Sequence, residues 1–205
     1  MKRGKFITLE GIDGAGKSSH VDFLRSLVAS GGREVVVTRE PGATGFGAAL
    51  RDVVLNQPTT ALAEALAMFA DRAAHVESQI EPALAAGAWV ICDRFSDSTY
   101  AYQCGGRALD RDLVTQLERI AHPGLQPDVT FLFDVDPATA HERQRRRSQA
   151  ADGFEQRGLE YFVRVRNAYL ERQRENPSRI RIVDASGDLQ AVRSRLEGSF
   201  REAFA

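Results

Sequence analysis

Gly11-Ile12-Asp13-Gly14-Ala15-Gly16-Lys17-Ser18 fits the pattern G-x-x-x-x-G-K-[ST], and its flanks give it the setting such a loop needs. Lys5 to Glu10, just before it, reads as a short buried strand. Just after it, Ser19 to Ser30 carries apolar residues at Val21, Leu24, Leu27 and Val28, the spacing of an amphipathic helix. Strand, glycine loop and helix together make an anion cradle. The glycines let the N–H groups from Gly11 through Ser19 turn toward one point without Cβ clashes, and the helix aims the positive end of its dipole there. Lys17 supplies a mobile cation for outer phosphates, and the Ser18 hydroxyl is a ligand for Mg²⁺. The plainer alternative is a glycine-rich turn that merely starts a helix.

The whole chain narrows the partners. Basic and acidic residues nearly balance, at 27 and 28, so no global excess advertises a nucleic-acid or anionic membrane surface, and a small-molecule partner is expected. Cys92 in an apolar strand and Cys104 in a glycine-rich segment suggest a reducing compartment rather than a disulfide framework. His20, His75, His122 and His141 lack metal-ligand spacing. The basic start Met1-Lys2-Arg3 is not followed by a signal-peptide core, and no apolar run approaches the ~20 residues needed to span a bilayer. The expectation is a soluble, cytoplasmic protein.

Further strands are expected at Glu34–Arg39, Ala88–Cys92, Asp128–Val135 and Arg179–Val183. Between them, helices are expected at Gly45–Leu55, as one long helix over Thr60–Ala86, at Asp110–Ala121, from Pro137 through the basic run to Arg147, at Leu159–Arg174 and at Leu189–Phe204. Five short apolar strands alternating with helices predict an α/β fold, a doubly wound five-stranded parallel sheet with helices on both faces, in a single domain over residues 1–205. Ligands of such sheets bind beyond the carboxyl ends of the strands. Here those ends carry the glycine loop, Arg39-Glu40, Asp93-Arg94, Asp134 and Asp136, and Ser186-Gly187.

Several groups near these ends have two readings. Arg39 and Arg94 either clamp a second anion with their guanidinium forks or bridge the neighbouring Glu40 and Asp93. Asp93 either holds Mg²⁺ or caps a helix; Asp134 and Asp136 are rivals for the metal, with Asp136 also placed to cap the helix opened by Pro137. Phe69 and Arg72 share a helix face and could read a planar base, although spacing alone favours a core Phe and a solvated Arg. Arg143, Arg145, Arg146 and Arg147 are either a solvated helix end or, with residues 148–153, a hinged flap that closes over phosphates.

Taken in order and spacing, GIDGAGKSS, TREPGAT, LAMFADRAAH, DRFSDSTYAYQCGGR, PDVTFLFDV and VDAS resemble the bacterial thymidylate kinases, over essentially the whole chain. The resemblance implies a P-loop kinase fold, transfer of the ATP γ-phosphoryl group to dTMP, and a homodimer. It assigns Lys17 and the loop to ATP phosphates, Ser18 with Asp93 to Mg²⁺, Arg39 and Arg94 to the dTMP phosphate, and Asp13 to the sugar 3′-OH. Phe69 would stack on thymine, Arg72 and Ser98 would bond its edge, and Tyr102 and Gln103 would line the deoxyribose. The Ala185-Ser186-Gly187 turn would lie near adenine, with a lid over about residues 143–157.

Relatives carry a catalytic arginine either in the glycine loop or in the lid. Gly14 fills the loop position here, so the resemblance points to the lid type and to Arg147, Arg145 or Arg143. The common lid Asp-Arg pair is Asp152-Gly153 in this chain, REPGGT is REPGAT with Ala43, and the AYQG glycine is Cys104. A deoxynucleoside kinase would need an acidic base at the acceptor hydroxyl, and a GTPase-like switch would need an N-K-x-D motif that this sequence lacks.

Overall fold

Strands β1 (Phe6–Glu10), β2 (Val35–Arg39), β3 (Trp89–Asp93), β4 (Val129–Asp134) and β5 (Ile180–Asp184) form one sheet in the order β2-β3-β1-β4-β5. Every pairing is parallel, with Phe6 opposite Val90 and Ile7 opposite Val129 at the centre. The computed structural model describes residues 2–147 and 158–205, apart from the side chain of Arg147. The expected strands are all present, each within one residue of its expected ends.

Alternation along the strands explains helices on both faces. Phe6, Val90 and Cys92 pack with Val76, Ile80, Leu84 and Phe95 in one buried cluster. Ile7, Leu9 and Ile91 join Leu24, Val28 and Leu196 in another. The covering helices are α1 (Val21–Ser30), α2 (Gly45–Asn56), α3 (Ala61–His75), α4 (Glu81–Ala85), α5 (Ser96–Thr99), α6 (Arg111–Ala121), α7 (Pro137–Arg147), α8 (Leu159–Glu175) and α9 (Leu189–Ala203). Thr44, Thr60, Asp110 and Asp188 cap α2, α3, α6 and α9 by accepting from first-turn N–H groups. Among the described residues no helix is long and apolar enough to cross a membrane.

Three departures have local causes. The first helix begins at Val21, because Lys17–Ser19 forms a tight 3₁₀ turn around the loop. The long helix expected over Thr60–Ala86 runs as α3, a π-helical turn over Val76–Ile80, and α4. Pro82 lacks an N–H and its ring clashes with a regular preceding turn, so the wider turn ahead of it lets the helix continue. The segment between β3 and α6, where no element is expected from the sequence, forms α5 followed by a π-helical stretch over Tyr100–Gly106. Its glycines are there for contact: a Cβ on Gly105 would lie 2.4 Å from the Ala168 Cβ, and one on Gly106 would lie 2.5 Å from the Tyr161 ring. Helix α8 therefore packs directly on the π-helical backbone. The expected lid beyond Arg147, including Asp152-Gly153, lies outside the described residues.

Candidate active site

Beyond the carboxyl ends of the strands lie three hollows with shared walls. The middle one is bounded by Asp13, Gly14, Gly16, Lys17, Ser18, Arg39, Asp93 and Arg94. Gly14 and Gly16 also border a second, between the glycine loop and the Ala185–Leu189 region. Asp13, Glu40, Arg51 and Arg94 also border a third, reaching to α3 and the π-helical segment.

The glycine loop is packed tightly from below. Gly11 and Gly14 have φ of 140° and 81°, and a Cβ on either would fall 2.4 Å and 2.1 Å from the carbonyl oxygens of Phe133 and Ala140. No other residue fits there. Lys17 is buried, its Nζ donating to the Gly11 and Ile12 carbonyls at 3.0 and 3.1 Å. Burial, reinforced by Arg94, brings its pKa down to about 8. The Ile12 side chain belongs to the core, so its contribution to the loop is its backbone.

Ser18 and Asp93 meet as expected. Ser18 Oγ donates to Asp93 Oδ2 at 2.9 Å, while Asp93 Oδ1 is buried without a hydrogen-bond partner among the described residues. An orphaned carboxylate oxygen beside a hydroxyl, at the mouth of a phosphate loop, fits a hard cation such as Mg²⁺. The rivals are otherwise engaged. Asp134 takes both forks of Arg166 at 2.6 and 2.8 Å, and Asp136 caps α7 through the Ala138 N–H at 2.9 Å.

Arg94 bridges Asp13 rather than Asp93. Its Nη2 donates to Asp13 Oδ1 at 2.5 Å and to the Tyr102 hydroxyl at 3.0 Å, and that hydroxyl donates to Asp13 Oδ2 at 2.9 Å. Desolvation works against the Asp13 charge, yet Arg94 and Lys17 outweigh it and hold the carboxyl below its usual range. Arg39 is exposed and faces the same hollow with no ion pair among the described residues. Arg51, unmarked by any sequence motif, reaches the wall shared by the middle and third hollows and donates to the Pro41 carbonyl at 3.2 Å.

The third hollow holds Arg72, Ser98, Tyr102 and Gln103, all expected there. Arg72 is buried, not solvated: Glu40 accepts from its Nε at 2.7 Å and Thr99 from its Nη1 at 3.2 Å, which leaves the rest of the fork toward the hollow. His75 braces Glu40 from the other side at 2.9 Å. Gln103 is held by Glu64 at 2.8 Å. Phe69, expected to stack on the base, sits beneath Arg72, whose guanidinium lies 4.8 Å from its ring centroid. Its ring is buried with Tyr100 and Val114, lies 6.3 Å from the His122 ring at an interplanar angle of 20°, and does not border the hollow; Met68 does.

The arginines of α7 diverge. Arg143, expected over the transferred group, donates to the carbonyls of Ala185 and Gly187 at 2.9 and 3.1 Å and borders the second hollow. Arg146 pairs with Glu142 at 2.7 Å, and Arg145 is exposed. Gln144 reaches the third hollow. Ala185 and Gly187 border the second hollow, with Ala15 and Ser19 opposite, whereas Ser186, expected there, turns its carbonyl to Arg195 at 2.7 Å.

Comparisons with known proteins agree along the chain. The family model for thymidylate kinase matches residues 9–196. A thymidylate kinase of Burkholderia vietnamiensis (strain G4 / LMG 22486) is 53% identical over 201 residues, 96% of this chain and 97% of that protein. One of Thiobacillus denitrificans (strain ATCC 25259 / T1) is 51% identical over 193 residues, 94% of each. The crystal structure of thymidylate kinase from Ehrlichia chaffeensis superposes with a TM-score of 0.78 at 32% identity, covering 97% of this chain and 99% of that one. On fold, on motif order and on relatives matched along nearly their full length, the chain belongs to the thymidylate kinase family.

Proposed function

We propose that the protein transfers the γ-phosphoryl group of ATP to the phosphate of dTMP, giving ADP and dTDP. The observation that carries this is the middle hollow, where a phosphate loop with Lys17 faces Arg39 and Arg94. Two polyanions can be held there head to head, their repulsion offset by cations on both sides. ATP occupies the loop, with its base in the second hollow beside Arg143. The dTMP phosphate meets Arg39, Arg94 and Arg51, its sugar Asp13 and Tyr102, and its base Arg72, Gln103 and the thioether of Met68. Ser18 and Asp93 hold Mg²⁺, which when bound neutralises charge on the ATP phosphates. The acceptor is already an anion, so no general base is needed; positioning and exclusion of water do the work.

The test is ADP release from Mg-ATP with a panel of acceptors. dTMP supports turnover far better than dCMP, dGMP or AMP. One methyl group in an apolar pocket is worth about 1–3 kcal/mol, so dUMP is a poor but measurable acceptor. Thymidine, which lacks the phosphate that Arg39 and Arg94 would hold, is inert. Turnover of thymidine equal to that of dTMP would establish a deoxynucleoside kinase instead.

The protein is also proposed to be a homodimer. Phe46 and Val53 on α2, with Leu62 and Leu66 on α3, are exposed on helices that pack against each other, an apolar surface that the sheet leaves uncovered. Light scattering reads about twice the 22.6 kDa chain mass. A monomer at all concentrations would refute this.

A further inference from the structure

Arg94 has a φ of 75°, a left-handed backbone that is costly for a non-glycine residue and persists only where the surroundings over-determine it. They do so here from two directions. Along the backbone, Arg94 N donates to the Leu9 carbonyl at 3.0 Å, and the next N–H, of Phe95, donates to Glu10 Oε1 at 2.7 Å. At the side chain, Arg94 Nη1 shares its two hydrogens among the Gly11 carbonyl at 3.0 Å and the hydroxyls of Ser98 and Tyr169, each at 3.1 Å. Those hydroxyls, 2.8 Å apart, lie 2.6 and 2.9 Å from Glu10 Oε2.

With Glu10 ionised, its carboxylate only accepts, so the single proton of each hydroxyl is available to Glu10 and its lone pairs are left for the guanidinium. The chain of donation runs from Arg94 through Ser98 and Tyr169 to Glu10, and each step polarises the next. Glu10 is wholly buried. Burial, with Asp97 adding to it, raises its pKa to about 7 against the pull of Arg94. Keeping a carboxylate there is costly, and its oxygens take the Phe95 N–H and the Ser98 and Tyr169 hydroxyls, which an apolar residue would leave unpaired.

We propose that Tyr169 is a positioning residue: its hydroxyl, oriented by Glu10, holds the Arg94 guanidinium on the wall between the middle and third hollows before a substrate arrives. The consequence for catalysis rests on the reading above that Arg94 binds the acceptor phosphate. Tyr169 lies on α8, far from every motif, and is reached only because Gly105 and Gly106 let that helix approach.

Tyr169→Phe removes the hydroxyl and keeps the ring, which packs edge-on to Tyr102 at 6.3 Å and 84°. The variant is expected to raise the dTMP KM about tenfold, leave the ATP KM within about twofold, and shift Tm by only a few degrees. Glu10→Gln, which frees the same hydroxyls, moves the dTMP KM in the same direction. A second readout needs no substrate: the Arg94 guanidinium ¹⁵N–¹H resonances, slow to rotate in the free wild-type protein, broaden in Tyr169→Phe. Unchanged resonances would overturn the positioning role, as would equal rises in both KM values with a large loss of Tm. Broadened resonances with an unmoved dTMP KM would leave the clamp standing and overturn the assignment of Arg94 to the acceptor phosphate.

Discussion

Arg147→Ala lowers kcat about a thousandfold while the dTMP KM stays within a few fold. A kinase of this kind needs a cation beside the transferring phosphoryl group, and such arginines are typically worth about 10³ or more in rate, about 4 kcal/mol of transition-state stabilisation. Gly14 removes the glycine-loop source. Among the remaining candidates, Arg143 is tied to the Ala185 and Gly187 carbonyls and Arg146 to Glu142. Arg147 is ranked first because it closes α7 next to residues 148–153, the expected lid segment. The measurement is steady-state ADP release at saturating Mg-ATP with varied dTMP. If alanine at 143, 145 and 147 in turn leaves kcat within a few fold of wild type, the lid-arginine mechanism is wrong for this chain.

Arg94→Ala lowers kcat/KM for dTMP by about a thousandfold, with the larger share in KM. Losing one partner of a buried, hydrogen-bonded charge pair typically costs about 2–5 kcal/mol, because the other charge is stranded. Here Asp13 loses the cation that holds its carboxyl down, and on the proposed reading the acceptor phosphate loses one of its guanidiniums. Arg39→Ala, at an exposed position with no ion pair among the described residues, raises the dTMP KM by a smaller factor. Titrating dTMP at fixed ATP, with circular dichroism to confirm folding, separates the two. An Arg94→Ala enzyme that binds dTMP as tightly as wild type would refute the assignment.

The strands were legible because buried parallel strands are short, nearly continuous apolar runs, and β1, β3 and β4 are such runs. Residues set by backbone position were legible too: Lys17, Ser18, Asp93 and Arg94 follow from the loop and from strand ends. Phase and direction were less legible. Met68 and Phe69 are adjacent, but one residue turns a helix by about 100°, so one meets the hollow and the other the core. Arg143 and its neighbours look alike in a basic run and diverge only once the Ala185–Gly187 carbonyls are in place. Tyr169 reads as an ordinary buried aromatic on an amphipathic helix, since nothing local reports that its hydroxyl ends beside Glu10.

The floor of the glycine loop has a consequence for the order in which the protein is made. Gly11 and Gly14 are synthesised well before the carbonyls they rest on, those of Phe133 and Ala140 far downstream. β1 likewise waits for both central neighbours, β3 and β4, and such sequence-distant pairings defer the reward for closing the chain. The nascent amino-terminal segment thus carries the whole phosphate-binding motif but no surface to shape it. The floor of the phosphate-binding loop is complete only in a chain that includes β4 and the start of α7.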